Sequence, residues 1–156
     1  MLEIDTPGFG VLSLSHLVCD FTGTLSVDGH ILPGVAELLD KLAATLTIHV
    51  VTADTFGRAH EELAGHSCKV TVLSGQNLDV QKAQYVLALG SGLVVAIGNG
   101  ANDRLMLKTA KLGIVVVEGE GCTVETVLNA HILARSIHEG LLLLLNPLRI
   151  VATLRT

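Results

Sequence analysis

At 156 residues the chain suits one domain, 1–156, with a sizeable core. Hydrophobic residues make up 49% of it and aromatics 3%, so Leu, Val, Ile and Ala must build that core. The net charge of −5, with no block of Lys or Arg, argues against a nucleic-acid partner, whose phosphates need clustered cations.

In chain order, residues 2–4 and 11–14 flank Thr6-Pro7-Gly8-Phe9-Gly10 and read as a hairpin or edge addition. Apolar runs at 17–19, 48–52, 70–73, 93–97 and 112–117 read as strands. They are continuous rather than alternating, as in strands covered on both faces. Helices are predicted between and after them, at 33–44, 58–64, 80–89, 102–109 and 124–130, with Pro33 in the first turn of its helix. This alternation predicts an α/β fold: a Rossmann-like, doubly wound parallel sheet in a three-layer α/β/α arrangement. After Asn129, Ile132–Ala134 and the apolar positions from 137 to 154 read as one or two closing helices, broken near Asn146-Pro147.

Three scattered cysteines, Cys19, Cys68 and Cys122, form no CxxC pair and suit a reduced, cytoplasmic setting. Cys19 should point into the sheet as a small hydrophobe. Glu3 and Asp5 stand where a secretory signal would be positively charged. The leucine run at 141–145 is too short to span a bilayer and reads as core or subunit interface.

In open parallel sheets, ligands bind beyond the carboxyl ends of the strands. Asp20 and Thr22 follow the first of these strands, Thr52-Ala53-Asp54 the second, and Gly98-Asn99-Gly100-Ala101-Asn102-Asp103 the fourth, while Lys82 opens a helix. Each has a plainer reading. Asp20 could be a helix cap, Thr52 an ordinary strand end, Lys82 a solvated lysine, and Asn99 and Asp103 turn residues. Asp54 reads as a cap for the helix that follows, Asp28-Gly29 as a hairpin tip, and the seven histidines, which lack metal-ligand spacing, as structural or surface residues.

Together, Asp20-Phe21-Thr22-Gly23-Thr24-Leu25, Thr52, Lys82 and Gly98–Asp103 resemble the four ordered motifs of the haloacid dehalogenase (HAD) superfamily of phosphohydrolases. The resemblance implies an aspartyl-phosphate on Asp20, with Lys82 neutralising charge and Asp103 holding metal or orienting Lys82. It implies phosphate binding by Thr52, Ala53 and the backbone amides of Phe21 and Gly23. It also implies Mg²⁺ bound by Asp20, the Thr22 carbonyl, Asn99 and Asp103. Two departures stand out: Thr22 occupies the place of the usual acid/base Asp, and Asn99 that of a metal-binding Asp. Asp-x-Thr-Gly-Thr is the form found in the P-type ATPase phosphorylation domain, so the chain is similar to the soluble P-type-ATPase-like phosphatases. The expectation is a slow, Mg²⁺-dependent phosphatase. A regulatory phosphate-binding relative and an accessory domain of a transport ATPase stand as alternatives. The segments 25–33 and 52–82 leave no room for a cap domain. An open site suits a large phosphorylated substrate, or a homo-oligomer in which a neighbour serves as cap.

Overall fold

The computed structural model describes residues 1–54 and 57–156. Its first two strands, β1 (Leu2–Thr6) and β2 (Gly10–Leu14), form the antiparallel hairpin expected at the start of the chain. The central sheet follows: β3 (His16–Cys19), β6 (Thr47–Thr52), β7 (Lys69–Val72), β8 (Val94–Gly98), β9 (Leu112–Val116) and β10 (Ile132–Ala134). These six run parallel in the order β10-β9-β8-β3-β6-β7. A small hairpin, β4 (Ser26–Val27) with β5 (His30–Ile31), lies between β3 and the first helix. Asp28 and Gly29 form its turn, both with positive φ, the backbone that a two-residue hairpin loop requires.

Side chains alternate across the sheet between two cores. Leu17, Cys19, Ile48, Val50, Val95, Ile97, Leu112 and Ile114 enter one, and Val18, Val51, Val94, Ala96 and Val115 the other. The first core is covered by α1 (Val35–Leu42), α2 (Arg58–Glu62), α6 (Ile137–Leu145) and the β1–β2 hairpin, and α7 (Pro147–Leu154) joins it through Ile150. The second is covered by α3 (Leu78–Ala88), α4 (Arg104–Thr109) and α5 (Val124–Leu128). Burial on both faces explains the continuous apolar runs.

Two expectations change. Ile132–Ala134 is not part of the closing helices but the sixth strand, paired with β9. Pro33 lies ahead of α1 rather than in its first turn, and Gly34, with φ 81°, caps the helix. The break at Asn146 is as expected, and α6 and α7 bend by 102° there. Among the described residues no single helix is long and apolar enough to cross a membrane. Leu141 and Leu144 are buried in the first core. Cys19 is buried there as expected, and burial pushes its thiol pKa up.

Candidate active site

The carboxyl ends of β3, β6 and β8 lie side by side, and their loops converge on one edge of the sheet. A cleft of about 500 Å³ opens there, lined by Asp20, Thr22, Thr52, Ala53, Asn99, Gly100, Ala101, Asn102 and Glu120. Asp20 ends β3, and its N–H donates to the Ile97 carbonyl of β8 at 3.0 Å. The chain then turns sharply around Phe21. Its side chain is buried, and its carbonyl accepts from the N–H groups of Thr24, Leu25 and Ser26 and from the Ser26 hydroxyl. This turn brings Thr24 back beneath Asp20. The Thr24 hydroxyl sits 3.1 Å from Asn99 Oδ1 and 3.5 Å from Asp20 Oδ2.

Lys82, in the second turn of α3, is fully buried below the cleft. Its ammonium donates to Asp20 Oδ1 at 2.6 Å, to Asp103 Oδ1 at 2.7 Å and to Asn102 Oδ1 at 3.3 Å. The second oxygen of Asp103, Oδ2, accepts from the N–H groups of Asn99 and Gly100, each at 3.0 Å. Both Asp103 oxygens are thus occupied by protein donors. Burial, and then the charge of Asp103, push the Asp20 pKa up to about 7, against the opposing pull of Lys82. Burial alone would lower the Lys82 pKa, but the two carboxylates outweigh it and hold the pKa above its ordinary value. Two buried carboxylates share one ammonium, so the centre is short of positive charge.

That deficit makes the site fit a divalent cation. The nearby oxygens are hard donors, Asp20 Oδ2 and Asn99 Oδ1, brought together around Thr24. Among the described residues no group of three or more His, Cys, Asp or Glu is placed to hold a metal. A cation here would rest on Asp20 together with oxygens such as Asn99 Oδ1, with fewer than three His, Cys, Asp or Glu side chains.

No family model matches the chain. The protein named uncharacterized protein MJ0073, of Methanocaldococcus jannaschii, is 48% identical over 62 residues, which are 40% of this chain and 67% of that one. The two belong to one family. Among solved structures, the cobalt-bound deoxy-D-mannose-octulosonate 8-phosphate phosphatase of Haemophilus influenzae matches with a TM-score of 0.71 at 10% identity, over 92% of this chain and 94% of that one. The 3-deoxy-D-manno-octulosonate 8-phosphate phosphatase of Moraxella catarrhalis, a complex with magnesium, phosphate and KDO, matches at 0.65 and 18% identity, over 86% and 87%. A protein of Streptomyces avermitilis described as a HAD family hydrolase matches at 0.67 and 16% identity, over 81% and 82%.

The fold is that of the HAD hydrolases.

On this HAD fold no cap domain is present among the described residues, only the β4–β5 hairpin beside the cleft. Asp20, Thr22, Thr52, Ala53 and Asn99 line the cleft together, and Lys82 and Asp103 lie just beneath them. Gly23 departs from its expected role. Its N–H donates to the Ser26 carbonyl at 3.0 Å, so it is not turned toward a phosphate. What Gly23 contributes is the absence of a side chain: with φ +76°, a Cβ there would lie 2.6 Å from Asn99 Nδ2 and 2.7 Å from Glu120 Oε2. Asp54 Oδ2 accepts from the Ala59 N–H at 2.7 Å and so holds the first turn of α2, as expected of a cap. Several of the histidines hold neighbouring segments together. His131 Nδ1 accepts from the Gly113 N–H, His66 pairs with Asp40, and His49 bridges His16 and Tyr85.

Two residues of the site escaped sequence reasoning. Thr24 belongs to the first motif, but only the turn around Phe21 shows that its hydroxyl reaches Asp20 and Asn99. Glu120 follows β9, and the rule that ligands bind beyond the carboxyl ends of parallel strands is the signal that points to it.

Proposed function

We propose that the protein is a divalent-metal-dependent phosphatase working through an aspartyl-phosphate on Asp20. The observation that carries this reading is the buried Asp20–Lys82–Asp103 relay at the floor of a cleft beyond the carboxyl ends of β3 and β8. The HAD fold of the structural neighbours supports it.

In the first step the Asp20 carboxylate attacks phosphorus, the bond to the substrate oxygen breaks, and that oxygen leaves with the electron pair and takes a proton from solvent water. In the second, water attacks phosphorus, the bond to Asp20 breaks, and inorganic phosphate is released. Lys82 keeps Asp20 oriented and offsets the negative charge that gathers near it. Asp103, fixed by two backbone amides, holds the Lys82 ammonium in place. Thr52 and Ala53, with the Phe21 amide, hold phosphate oxygens. Mg²⁺ suits the site, with Asp20, Asn99 Oδ1 and the Thr22 carbonyl as its protein donors; when bound it supplies positive charge against the transferring phosphoryl group. Asn99 retains an oxygen but not a charge, which weakens the metal site. Thr22 cannot exchange a proton as a carboxylate does, and general acid–base help is typically worth about 10²–10⁴ in rate, so turnover is slow. The open cleft suits a large phosphorylated substrate.

The test is hydrolysis of an aryl phosphate, with and without Mg²⁺, by the wild type and by Asp20→Asn. Turnover that needs both the metal and Asp20 establishes the activity. Metal-dependent binding of beryllium fluoride with no hydrolysis would instead favour a regulatory, phosphate-binding role.

A further inference from the structure

Glu120 stands at the cleft with no part in the chemistry above. Of the described residues lining the cleft, only Asp20 and Glu120 carry carboxylates. Asp20 is 4% exposed at the floor, whereas Glu120 is exposed at the rim. Glu120 Oε1 accepts from the Asp28 N–H at 3.0 Å, which ties it across to the turn of the β4–β5 hairpin. Glu120 Oε2 lies beside Gly23, 2.7 Å from where a Cβ on that residue would stand. The loop that carries it is fastened to the Gly98–Asp103 segment. Asn99 Nδ2 donates to the Gly121 carbonyl at 2.9 Å, the Thr123 N–H to the Asn99 carbonyl at 3.1 Å, and the Thr126 hydroxyl to the Gly100 carbonyl at 2.8 Å. The carboxylate therefore has a defined place beside the residues that follow Asp20.

In phosphoryl transfer the entering and leaving oxygens lie roughly in line through phosphorus. With Asp20 at the floor, water must enter from the mouth, where Glu120 sits and where Thr22 offers only a hydroxyl. We propose that Glu120 is the general base of the second half-reaction, a reading that rests on the phosphatase assignment. Water attacks phosphorus of the aspartyl-phosphate, and its proton passes to Glu120 Oε2. The phosphorus–oxygen bond to Asp20 breaks, its electron pair returns to the Asp20 carboxylate, and phosphate departs. Glu120, being exposed, then releases the proton to solvent. In this way a side chain from the β9–α5 loop recovers part of what Thr22 lacks.

The experiment is rapid-mixing kinetics with p-nitrophenyl phosphate and saturating Mg²⁺. Nitrophenolate leaves without proton help, so the first half-reaction does not need Glu120. Wild type, Asp20→Asn, Glu120→Gln and Glu120→Gln/Thr22→Asp are compared, with Mg²⁺ affinity measured by calorimetry. Glu120→Gln is expected to keep the rapid burst of one equivalent of nitrophenolate while its steady-state rate falls about a hundredfold, at the lower end of general-base effects. Phosphorylated Asp20 then accumulates in the intact mass, Mg²⁺ affinity stays unchanged, and Thr22→Asp restores turnover in that background. A steady-state rate equal to wild type overturns the proposal. So does a joint fall of burst, steady state and Mg²⁺ affinity, which would make Glu120 a support for the metal. Wild-type turnover that does not depend on Asp20 sinks the phosphatase reading itself, and the Asp20→Asn control tells that failure apart.

Discussion

Replacing Lys82 by methionine keeps the length of a fully buried side chain and removes its charge. Asp20 and Asp103 would then face one another across the place where a single ammonium now sits within 2.7 Å of both. Removing one partner from a buried ion pair costs about 3–5 kcal/mol, because the charge left behind has no compensation. For a domain of this size each kcal/mol lowers Tm by roughly 2–4 °C, so the expected fall is about 6–20 °C at neutral pH. Two close carboxylates cannot both stay ionised, and one takes up a proton with a raised pKa. The folded variant therefore binds that proton more tightly than the unfolded chain, and its deficit shrinks as the pH is lowered. Urea and thermal unfolding in mildly acidic and neutral buffer measure both effects. Lys82→Met/Asp20→Asn should be more stable than Lys82→Met alone, because it removes the facing charge. A loss below about 1 kcal/mol, equal at both pH values, would be the behaviour of a solvated surface pair and would refute the buried relay.

Three further outcomes follow from the same geometry. Burial and Asp103 raise the Asp20 pKa from 3.8 to about 7, so its stabilising contribution is complete below the lower value and is lost as pH rises through the upper one. Metal-free Asp20→Asn should accordingly lose less stability than wild type across that window in urea titrations; parallel curves would contradict the assignment. Asn99→Asp adds a charge to an oxygen already in place and should tighten Mg²⁺ binding on the order of tenfold by calorimetry; unchanged affinity would place the cation elsewhere. Gly23→Ala forces a side chain into positive φ and against Asn99 and Glu120, costing about 1–3 kcal/mol. It should lower turnover more than the same destabilisation introduced at a distance from the cleft, which activity assays at matched folded fractions would measure.

The sheet could be read from the sequence because its strands are covered on both faces. The runs at 48–52 and 112–117 correspond to Thr47–Thr52 and Leu112–Val116, each feeding both cores. Ile132–Ala134 gave no such signal: it is three residues long, and Leu133, at the sheet edge, is half exposed. Asp20, Thr52, Lys82 and Asp103 could be picked out because chemistry-bearing residue types stood at strand ends and at a helix start, in a familiar order. The places of Thr24, Gly23 and Glu120 around the cleft could not, because they depend on conformation. Thr24 reaches Asp20 only through the turn closed on the Phe21 carbonyl, and Gly23 matters for what its missing Cβ would strike. Glu120 lies in Glu118-Gly119-Glu120-Gly121, which on its own reads as turn chemistry.

The strand that delivers Asp20 sits at the centre of the sheet, and its two neighbours come from distant parts of the chain. His16 of β3 pairs on one side with Thr47 and on the other with Val94. During synthesis β3 leaves the ribosome before either neighbour, and its second edge stays open until β8 has followed. Loop closure over such a span slows folding and leaves the apolar stretch Leu17-Val18-Cys19 exposed in the interim. Nascent chains halted before Val94 should therefore be captured by chaperones that hold extended apolar segments, and chains halted beyond Ala134 should escape them.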